Sequence, residues 1–229
     1  MKKLQNGILI WLILVSVSAV SQSKFSFNLQ SGLTVPLLDY GADNLEKGCF
    51  TMPGIVVSPG FGYQLNHQFE IELQSGIYFH PVDVSSLGAS KVANDPFLED
   101  LFIRSESYRL IRVAGGGNYS VYDGRYFEVA FSALAGILWS KTPYQLYKPK
   151  YFLTGPPYYE ITSARDMSFV YAVGLQTAWR LNNCLILTLG ADFMQANASY
   201  RFSTGSGIRT DNRMISTLNI SAGIKLAVF

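Results

Sequence analysis

Eight segments of this chain alternate large apolar residues with small or polar ones, and this period of two limits the fold more than any other feature. Successive side chains of a β-strand point to opposite faces, so each segment predicts a strand with one apolar and one polar face. Several segments reach the roughly ten residues that are typical of membrane-spanning strands. The segments cover residues 25–30, 57–65, 69–79, 108–119, 127–139, 168–180, 185–193 and 217–228.

The connections between these segments are alternately short and long. Tight turns are predicted at residues 66–67, 122–125 and 182–183, where Asn, Asp and Gly are frequent. Long loops are predicted at residues 35–54, 80–106, 140–166 and 195–213. Membrane barrels of bacteria place short turns in the periplasm and long loops outside. The sequence therefore predicts an all-β fold, an eight-stranded antiparallel up-and-down transmembrane β-barrel.

The apolar face of each predicted strand is expected to point outward, into lipid. Only 15% of the residues are charged, well below the roughly 25% of ordinary soluble domains. The polar face is rich in Gly, Ser and Ala, which suits a narrow interior. A soluble barrel with the apolar face inward is the alternative, and the long strands and loops favour the membrane barrel.

The first residues are typical of a secretory signal peptide. Lys2 and Lys3 precede an apolar run at residues 8–17, and residues 19–21 form a small-residue cleavage site. We expect residues 1–21 to be cleaved, leaving residues 22–229 as the barrel domain; a retained helix is the alternative, but the run is short for a span. The remaining chain then has 18 − 2 = 16 basic and 16 acidic residues, a balance that gives no electrostatic basis for nucleic-acid binding.

Charged residues recur on the predicted inner face. An eight-stranded barrel is just wide enough for side chains, and unpaired charges there are costly, so we expect a paired plug. A gated ion path is the alternative. The predicted interior charge network contains Glu70, Glu72, Arg112, Glu128, Arg180, Asp192 and Lys225.

The third long loop is the most distinctive, because it combines tyrosines with lysines. Tyrosine rings give large contact areas and lose little rotamer freedom, so this loop is a candidate binding surface. An interfacial aromatic girdle or a hairpin that extends the barrel is the alternative. The candidate binding residues are Tyr144, Tyr147, Lys148, Lys150, Tyr151, Tyr158 and Tyr159. The first two long loops are acidic and the last two basic, so they could pack together over the barrel mouth.

Few residues are candidates for catalysis or metal binding. His80 is followed by Asp83, Ser85 and Ser86, the residue types of a hydrolytic site in a lipid-modifying barrel. No Gly-x-Ser-x-Gly motif is present, so we expect no enzyme activity. The two histidines lie at opposite barrel ends in the predicted layout, and we expect neither a metal nor a cofactor. Cys49 and Cys184 are likewise at opposite ends and are not expected to pair.

Three segments resemble a known group of proteins. The opening strand FSFNLQSGL, the glycine-rich VSPGFGYQL and the final ISAGIKLAVF look like the small outer-membrane barrels of Bacteroidetes, the PorT-like group. They also look like the eight-stranded membrane domain of outer-membrane protein A. The resemblance implies the outer membrane of a Gram-negative bacterium, with membrane lipid and lipopolysaccharide as surroundings. It also implies recognition of the terminal Phe229 by the barrel-insertion machinery, and a protein partner in the envelope or in a secretion complex.

These observations predict a non-enzymatic outer-membrane barrel that is structural or binds a partner through its surface loops. One alternative is a narrow channel or transporter for small solutes. A second alternative is a lipid-modifying enzyme that uses His80 as its base.

Overall fold

The structure is a computed structural model that describes residues 25–152, 155–182, 184–204 and 207–228. The predicted signal peptide and Phe229 lie outside these residues. The strands are β1 (Phe25–Leu37), β2 (Gly54–Gln64), β3 (Phe69–His80), β4 (Leu98–Ser105), β5 (Tyr108–Asp123), β6 (Phe127–Lys141), β7 (Gln145–Tyr151), β8 (Tyr159–Ile161), β9 (Arg165–Arg180), β10 (Leu185–Thr204) and β11 (Gly207–Val228). A 3₁₀ helix covers Leu38–Tyr40, and the α-helix α1 covers Val84–Asn94.

Eight of these strands form a closed antiparallel barrel in the order β1-β2-β3-β5-β6-β9-β10-β11. Closure is visible at β1, where Phe25 lies opposite Tyr63 of β2 and also opposite Val228 of β11. All eight segments of alternating sequence are barrel strands, so the predicted fold is confirmed. In the described part of the chain, none of the helices is both long and apolar enough to cross a membrane.

The outer face of the barrel is apolar and the lower interior is polar. Phe61 and Leu175 are 62% and 57% exposed on the outside, whereas Glu72 and Thr188 are buried inside. Exposing such a surface to water would be strongly unfavourable in free energy, but contact with lipid is not. Because the barrel is closed, each of its strands has a hydrogen-bonded neighbour on both sides, as a membrane-spanning structure requires. The apolar face therefore points outward, as predicted.

The second and third long loops contain regular elements, and this corrects the prediction, which included only a hairpin in the third loop as an alternative. Strands β4, β7 and β8 form a separate three-stranded antiparallel sheet, and α1 packs against β4. We call α1, β4, β7 and β8 together the loop unit. Residues 98–103 include apolar side chains that turn inward on one face of β4, and this face gives the sheet its own core. The three described strands of this sheet do not pair with the barrel.

The predicted fourth long loop, residues 195–213, is also corrected. Strands β10 and β11 stay paired up to Thr204 opposite Gly207, so the connection is a tall β-hairpin. The first loop packs against the other loops. Thr51 forms an isolated antiparallel β-bridge with Val82 of loop two, and Arg213 Nη1 of the hairpin donates a hydrogen bond to the carbonyl of Gly48 at 3.3 Å. Loop one thus contacts loop four, and the β4–β7 ladder joins loop two to loop three, so the first two long loops pack against the last two as expected. Both cysteines are free, as predicted.

Candidate functional sites in the barrel and the loop unit

The periplasmic end of the interior is organised around two glutamates of β3. Glu70 Oε2 lies 2.6 Å from Lys225 Nζ, and Glu70 Oε1 accepts a hydrogen bond from Ser26 Oγ at 2.7 Å. A Cβ atom at Gly62 would collide with Glu70 Oε1, so this glycine makes room for the ion pair. The small residues of the inner face therefore leave space for large polar side chains in a narrow barrel.

Glu72 differs from Glu70, because its neighbours among the described residues are amides. Asn28 Nδ2 donates to Glu72 Oε1 at 2.5 Å, and Asn118 Nδ2 donates to Glu72 Oε2 at 2.6 Å. The expectation that every inner carboxylate pairs with a cation is wrong at this position. Uncharged donors satisfy the oxygens without a second buried charge to desolvate.

One buried arginine crosses the middle of the barrel. Arg112 is 1% exposed, and its Nη1 lies 3.2 Å from Asp192 Oδ2. Its Nη2 donates to Gln74 Oε1, and Asn219 Nδ2 donates to the same aspartate oxygen at 2.8 Å. The guanidinium thus ties β3, β5 and β10 together, and β11 joins them through Asn219.

Arg180 lies at the rim and not in the interior network with Arg112. Its Nη2 contacts Asp123 Oδ1 at 2.6 Å and Glu128 Oε2 at 3.1 Å, and its Nη1 donates to the carbonyl of Gly124 at 2.9 Å. Its side chain is 33% exposed. Asp123 was missed in the sequence, because as a turn residue it was not counted with the inner face.

Above Arg112 the interior becomes apolar, in contrast to the polar interior that the sequence predicts for the whole barrel. Tyr78, Leu110, Leu138, Val170 and Met194 are all fully buried there and form one cluster. A small cavity below this cluster, lined by Gln74, Asp192 and their neighbours, has a volume of about 30 Å³, which is room for roughly one water molecule. Side chains therefore fill the interior at this level.

The residues around His80 have structural contacts. His80 is fully buried, with Nε2 3.4 Å from Thr34 Oγ1 and Nδ1 3.3 Å from the carbonyl oxygen of Met52. Asp83 caps α1 by accepting hydrogen bonds from the backbone N–H groups of Ser85 and Ser86 and from the Ser86 hydroxyl. These bonds lower the pKa of Asp83. The Asp and Ser residues beside His80 in sequence thus serve the helix cap.

The core of the loop unit contains a tyrosine that the sequence placed on the binding surface. Tyr147 is 1% exposed, stacks on Tyr159 with ring centroids 4.7 Å apart, and lies under the Lys91 ammonium at 5.0 Å. Burial raises the pKa of Tyr147 and lowers the pKa of Lys91. Tyr147 is therefore a core residue of the loop unit, and the prediction that it lies on the binding surface is wrong.

The other candidate residues of loop three are divided between surface and core. Lys148, Lys150 and Tyr158 are exposed, and Lys150 Nζ pairs with Glu99 Oε2 at 2.8 Å. Tyr144, Tyr151 and Tyr159 are partly buried. On β7, the alternation of the two faces places Lys148 and Lys150 on the solvent side and Tyr151 on the other side.

Three exposed phenylalanines of the loop unit lie outside the set of candidate binding residues. Phe97, Phe102 and Phe152 are 61%, 62% and 76% exposed. Phe152 N donates to the carbonyl of Phe97 at 3.0 Å, so these two residues are neighbours at one end of the β4–β7 ladder. Phe102 lies opposite Lys148 on the same sheet. The apolar residues on either side of Glu99 and Asp100 within 97–103 were the available signal, but a long loop was expected there.

A cavity of about 400 Å³ opens at the barrel mouth, between the loop unit and the β10–β11 hairpin. Lys91, Tyr147, Tyr200 and Arg213 are among its lining residues. This volume lies in the range of small-molecule pockets. A metal site is not visible in the described residues, because they contain no group of three or more His, Cys, Asp or Glu side chains that could hold an ion.

A closed barrel of eight strands with an apolar exterior is a small outer-membrane β-barrel, and this architecture places the protein in the outer membrane of a Gram-negative bacterium. The crystal structure of Neisserial surface protein A has the same fold, with a TM-score of 0.55 and 10% identity over 90% of this chain and 98% of that one.

Two further solved structures align at lower scores. They are Ail, the attachment invasion locus protein of Yersinia pestis (12% identity, 90% of this chain and 99% of that one, TM-score 0.45), and a major outer membrane protein of Thermus thermophilus (11% identity, 90% and 99%, TM-score 0.48). No family model and no curated protein matches the sequence. At these identities the likeness concerns the fold alone.

Proposed function

We propose that this protein is a non-enzymatic outer-membrane barrel that binds a protein partner through its loop unit. The observation that carries the proposal is the set of exposed phenylalanines Phe97, Phe102 and Phe152 on a folded extracellular sheet. They are not needed to close the barrel, because in the described part of the chain β4 and β7 pair with each other and β7 with β8, and neither pairs with a barrel strand. Exposed aromatic side chains on a rigid frame are typical of binding hot spots.

The neighbouring charges favour a partner with a mixed apolar and acidic surface. Lys148 lies opposite Phe102 in the β4–β7 ladder and is exposed, and no ion pair involves it among the residues that the structure describes. A lysine at the edge of an aromatic contact steers an acidic partner more than it strengthens the complex. The resemblance to the PorT-like group suggests that the partner is an envelope protein of a secretion complex.

Two features argue against the alternative functions. The apolar cluster around Leu110 and Met194 and the bridge from Arg112 to Asp192 fill the interior, which disfavours a solute channel. The burial of His80 and the helix-capping role of Asp83 disfavour a lipid-modifying site. Planar-bilayer recordings without discrete conductance, and unchanged lipid A masses in cells with His80→Ala, would agree with the proposal.

Site-specific cross-linking in living cells tests the binding surface. A photoreactive residue at Phe102 should give a discrete adduct with one envelope protein, and the same residue at Ile208 should not. Ile208 is a matched control, because it is 76% exposed on the extracellular hairpin but lies outside the loop unit.

The double variant Phe97→Ser/Phe152→Ser should then weaken binding of the identified partner by about thirtyfold or more, the effect of losing at least one hot spot. Gel mobility with and without heating reports whether the barrel is folded. A folded double variant that binds with unchanged affinity would contradict the proposal.

A further inference from the structure

Three basic side chains stand side by side on the outer surface at the extracellular ends of β5, β6 and β9. Arg109 lies directly opposite Lys141, and Lys141 lies directly opposite Arg165. Arg109 and Arg165 are exposed, and Lys141 is half-buried. Like charges directly opposite each other destabilise a sheet. This row therefore lowers the stability of the barrel, and barrel formation does not require it.

The described residues contain one weak ion pair that partly neutralises this row. Lys141 Nζ lies 3.6 Å from Glu106 Oε2, and both side chains are partly exposed, so this pair is weak. Among the described residues, no ion pair involves Arg109, Arg165 or the nearby Arg201. Unlike the interior cations Arg112 and Lys225, these arginines have no carboxylate in an ion pair with them among the described residues.

The same region forms a shallow groove where β9 and β10 separate. Their ladder ends at Val170 opposite Ala196, and beyond this point Asp166 Oδ2 accepts a hydrogen bond from Ser199 N at 3.0 Å. A depression of about 470 Å³ lies there, lined by Trp139, Arg165, Asp166, Met167, Ser199 and Arg201. The groove thus has an apolar lower part, and its upper part contains two arginines together with the Asp166 carboxylate, which accepts the hydrogen bond from Ser199 N.

The position of the groove relative to the lipid indicates what it binds. In the strand register, Ile111, Trp139 and Met167 lie side by side on the outer face, two residues nearer the membrane centre than the basic row. All three are well exposed. Tryptophan is enriched where the hydrocarbon meets the head groups. The basic row lies two residues further from the membrane centre than Trp139, and therefore at the level of the phosphate groups of the outer leaflet.

We infer that this groove binds a phosphate group of the glycolipid of the outer leaflet, lipid A. The Arg165 and Arg201 guanidinium groups would contact the phosphate oxygens, because arginine forms paired, charge-assisted hydrogen bonds with phosphate. Trp139 and Met167 would pack against the attached acyl chains. Arg109 and Lys141 extend the positive surface toward β5. This site requires only the membrane location and is independent of the partner proposed for the loop unit.

Lipid titrations of the purified full-length protein in detergent, followed by native mass spectrometry, test the inference. The probe is lipid A that carries both phosphates. The double variant Arg165→Gln/Arg201→Gln should bind this lipid about tenfold more weakly, the loss expected for one charge-assisted contact. The control is Arg104→Gln/Arg125→Gln, which removes the same charge from exposed residues on β4 and on a periplasmic turn and should bind as the wild type does.

Each other outcome overturns the inference. Equal weakening in the two double variants would show a general effect of net charge. Unchanged binding by the Arg165→Gln/Arg201→Gln variant would show that the groove is not the site. Equal affinity of the wild type for lipid A from which the phosphates have been removed would show an apolar contact without phosphate recognition.

Discussion

Strand β10 crosses two environments, and its two halves have opposite polarity. In the lower half Leu187 and Leu189 point outward and are well exposed, while Thr188 is buried inside. In the upper half Met194 and Tyr200 are buried inside, and the outward positions include Ser199, which is exposed. The lower half therefore follows the pattern of a membrane barrel, and the upper half follows that of a soluble barrel.

The difference shows that the solvent outside the strand determines the pattern, while the backbone ladder stays the same. Pairing with β11 is unbroken from Leu185 to Thr204. Where lipid surrounds the barrel, apolar side chains face outward and polar ones fill the interior. Where water surrounds it, burying apolar side chains inside stabilises the structure as in any soluble protein. The change of polarity marks the extracellular membrane boundary on this strand.

The largest expected effect comes from Arg112, the uppermost charge of the polar interior. Arg112→Ala removes the buried cation that faces Asp192 and leaves a partly buried carboxylate with one amide donor. We expect a loss of about 3–5 kcal/mol in the free energy of unfolding, the usual cost of breaking a buried pair from one side. Urea unfolding of the barrel in lipid vesicles, followed by tryptophan fluorescence, measures this loss.

A double variant separates charge from packing at this position. Arg112→Met/Asp192→Asn removes both charges and keeps similar volumes, so it should recover most of the lost stability. If Arg112→Ala is as stable as the wild type, the interior at this level is hydrated, and the contrast between the two halves fails.

Leu110 is the matching position of the apolar interior, two residues earlier on the same face of β5. It is fully buried in the upper cluster. Leu110→Ala should lower the free energy of unfolding by about 2–4 kcal/mol, because it removes buried methyl groups and leaves a cavity. Equilibrium unfolding under the same conditions gives the value, and Leu110→Met, which keeps the volume, should cost much less. A silent Leu110→Ala variant would mean that the upper interior is loosely packed.

The smallest effect is expected at the periplasmic rim. Arg180→Ala breaks two ion pairs, but the side chain is one-third exposed, so water can solvate Asp123 and Glu128 after the change. We expect a loss of about 1 kcal/mol, visible as a small shift in the urea midpoint that decreases in high salt. A loss as large as that of Arg112→Ala would show that the rim is as desolvated as the barrel centre.

The strands could be predicted because lipid gives a strong and regular signal. All eight barrel strands and the three short turns follow from alternation and turn residues. The upper part of β10 could not be found in the same way, because its outward residues turn polar at Gln195 while the inward ones turn apolar. Because the apolar face changes sides at Gln195, the sequence predicts that the strand ends there, although its pairing with β11 continues to Thr204.

The sites were harder to predict than the strands. The inner charges of β3, β5 and β10 follow from parity alone, but their partners depend on the stagger between neighbouring strands, which the sequence does not specify. Tyr147 looked like a surface residue because β4, which buries it, comes from another loop. The basic row at Arg109, Lys141 and Arg165 likewise becomes visible only when three strand ends are placed in register.

The two free cysteines provide the chain with an orientation marker of its own. Cys184 is exposed at the turn between β9 and β10, on the periplasmic side, and Cys49 is buried at the extracellular mouth. A maleimide that cannot cross the outer membrane should therefore leave intact cells unlabelled and modify one thiol per molecule once the periplasm is opened. A second thiol should react only when the first loop leaves its place over the barrel mouth, so the native sequence reports both insertion and opening without an engineered probe.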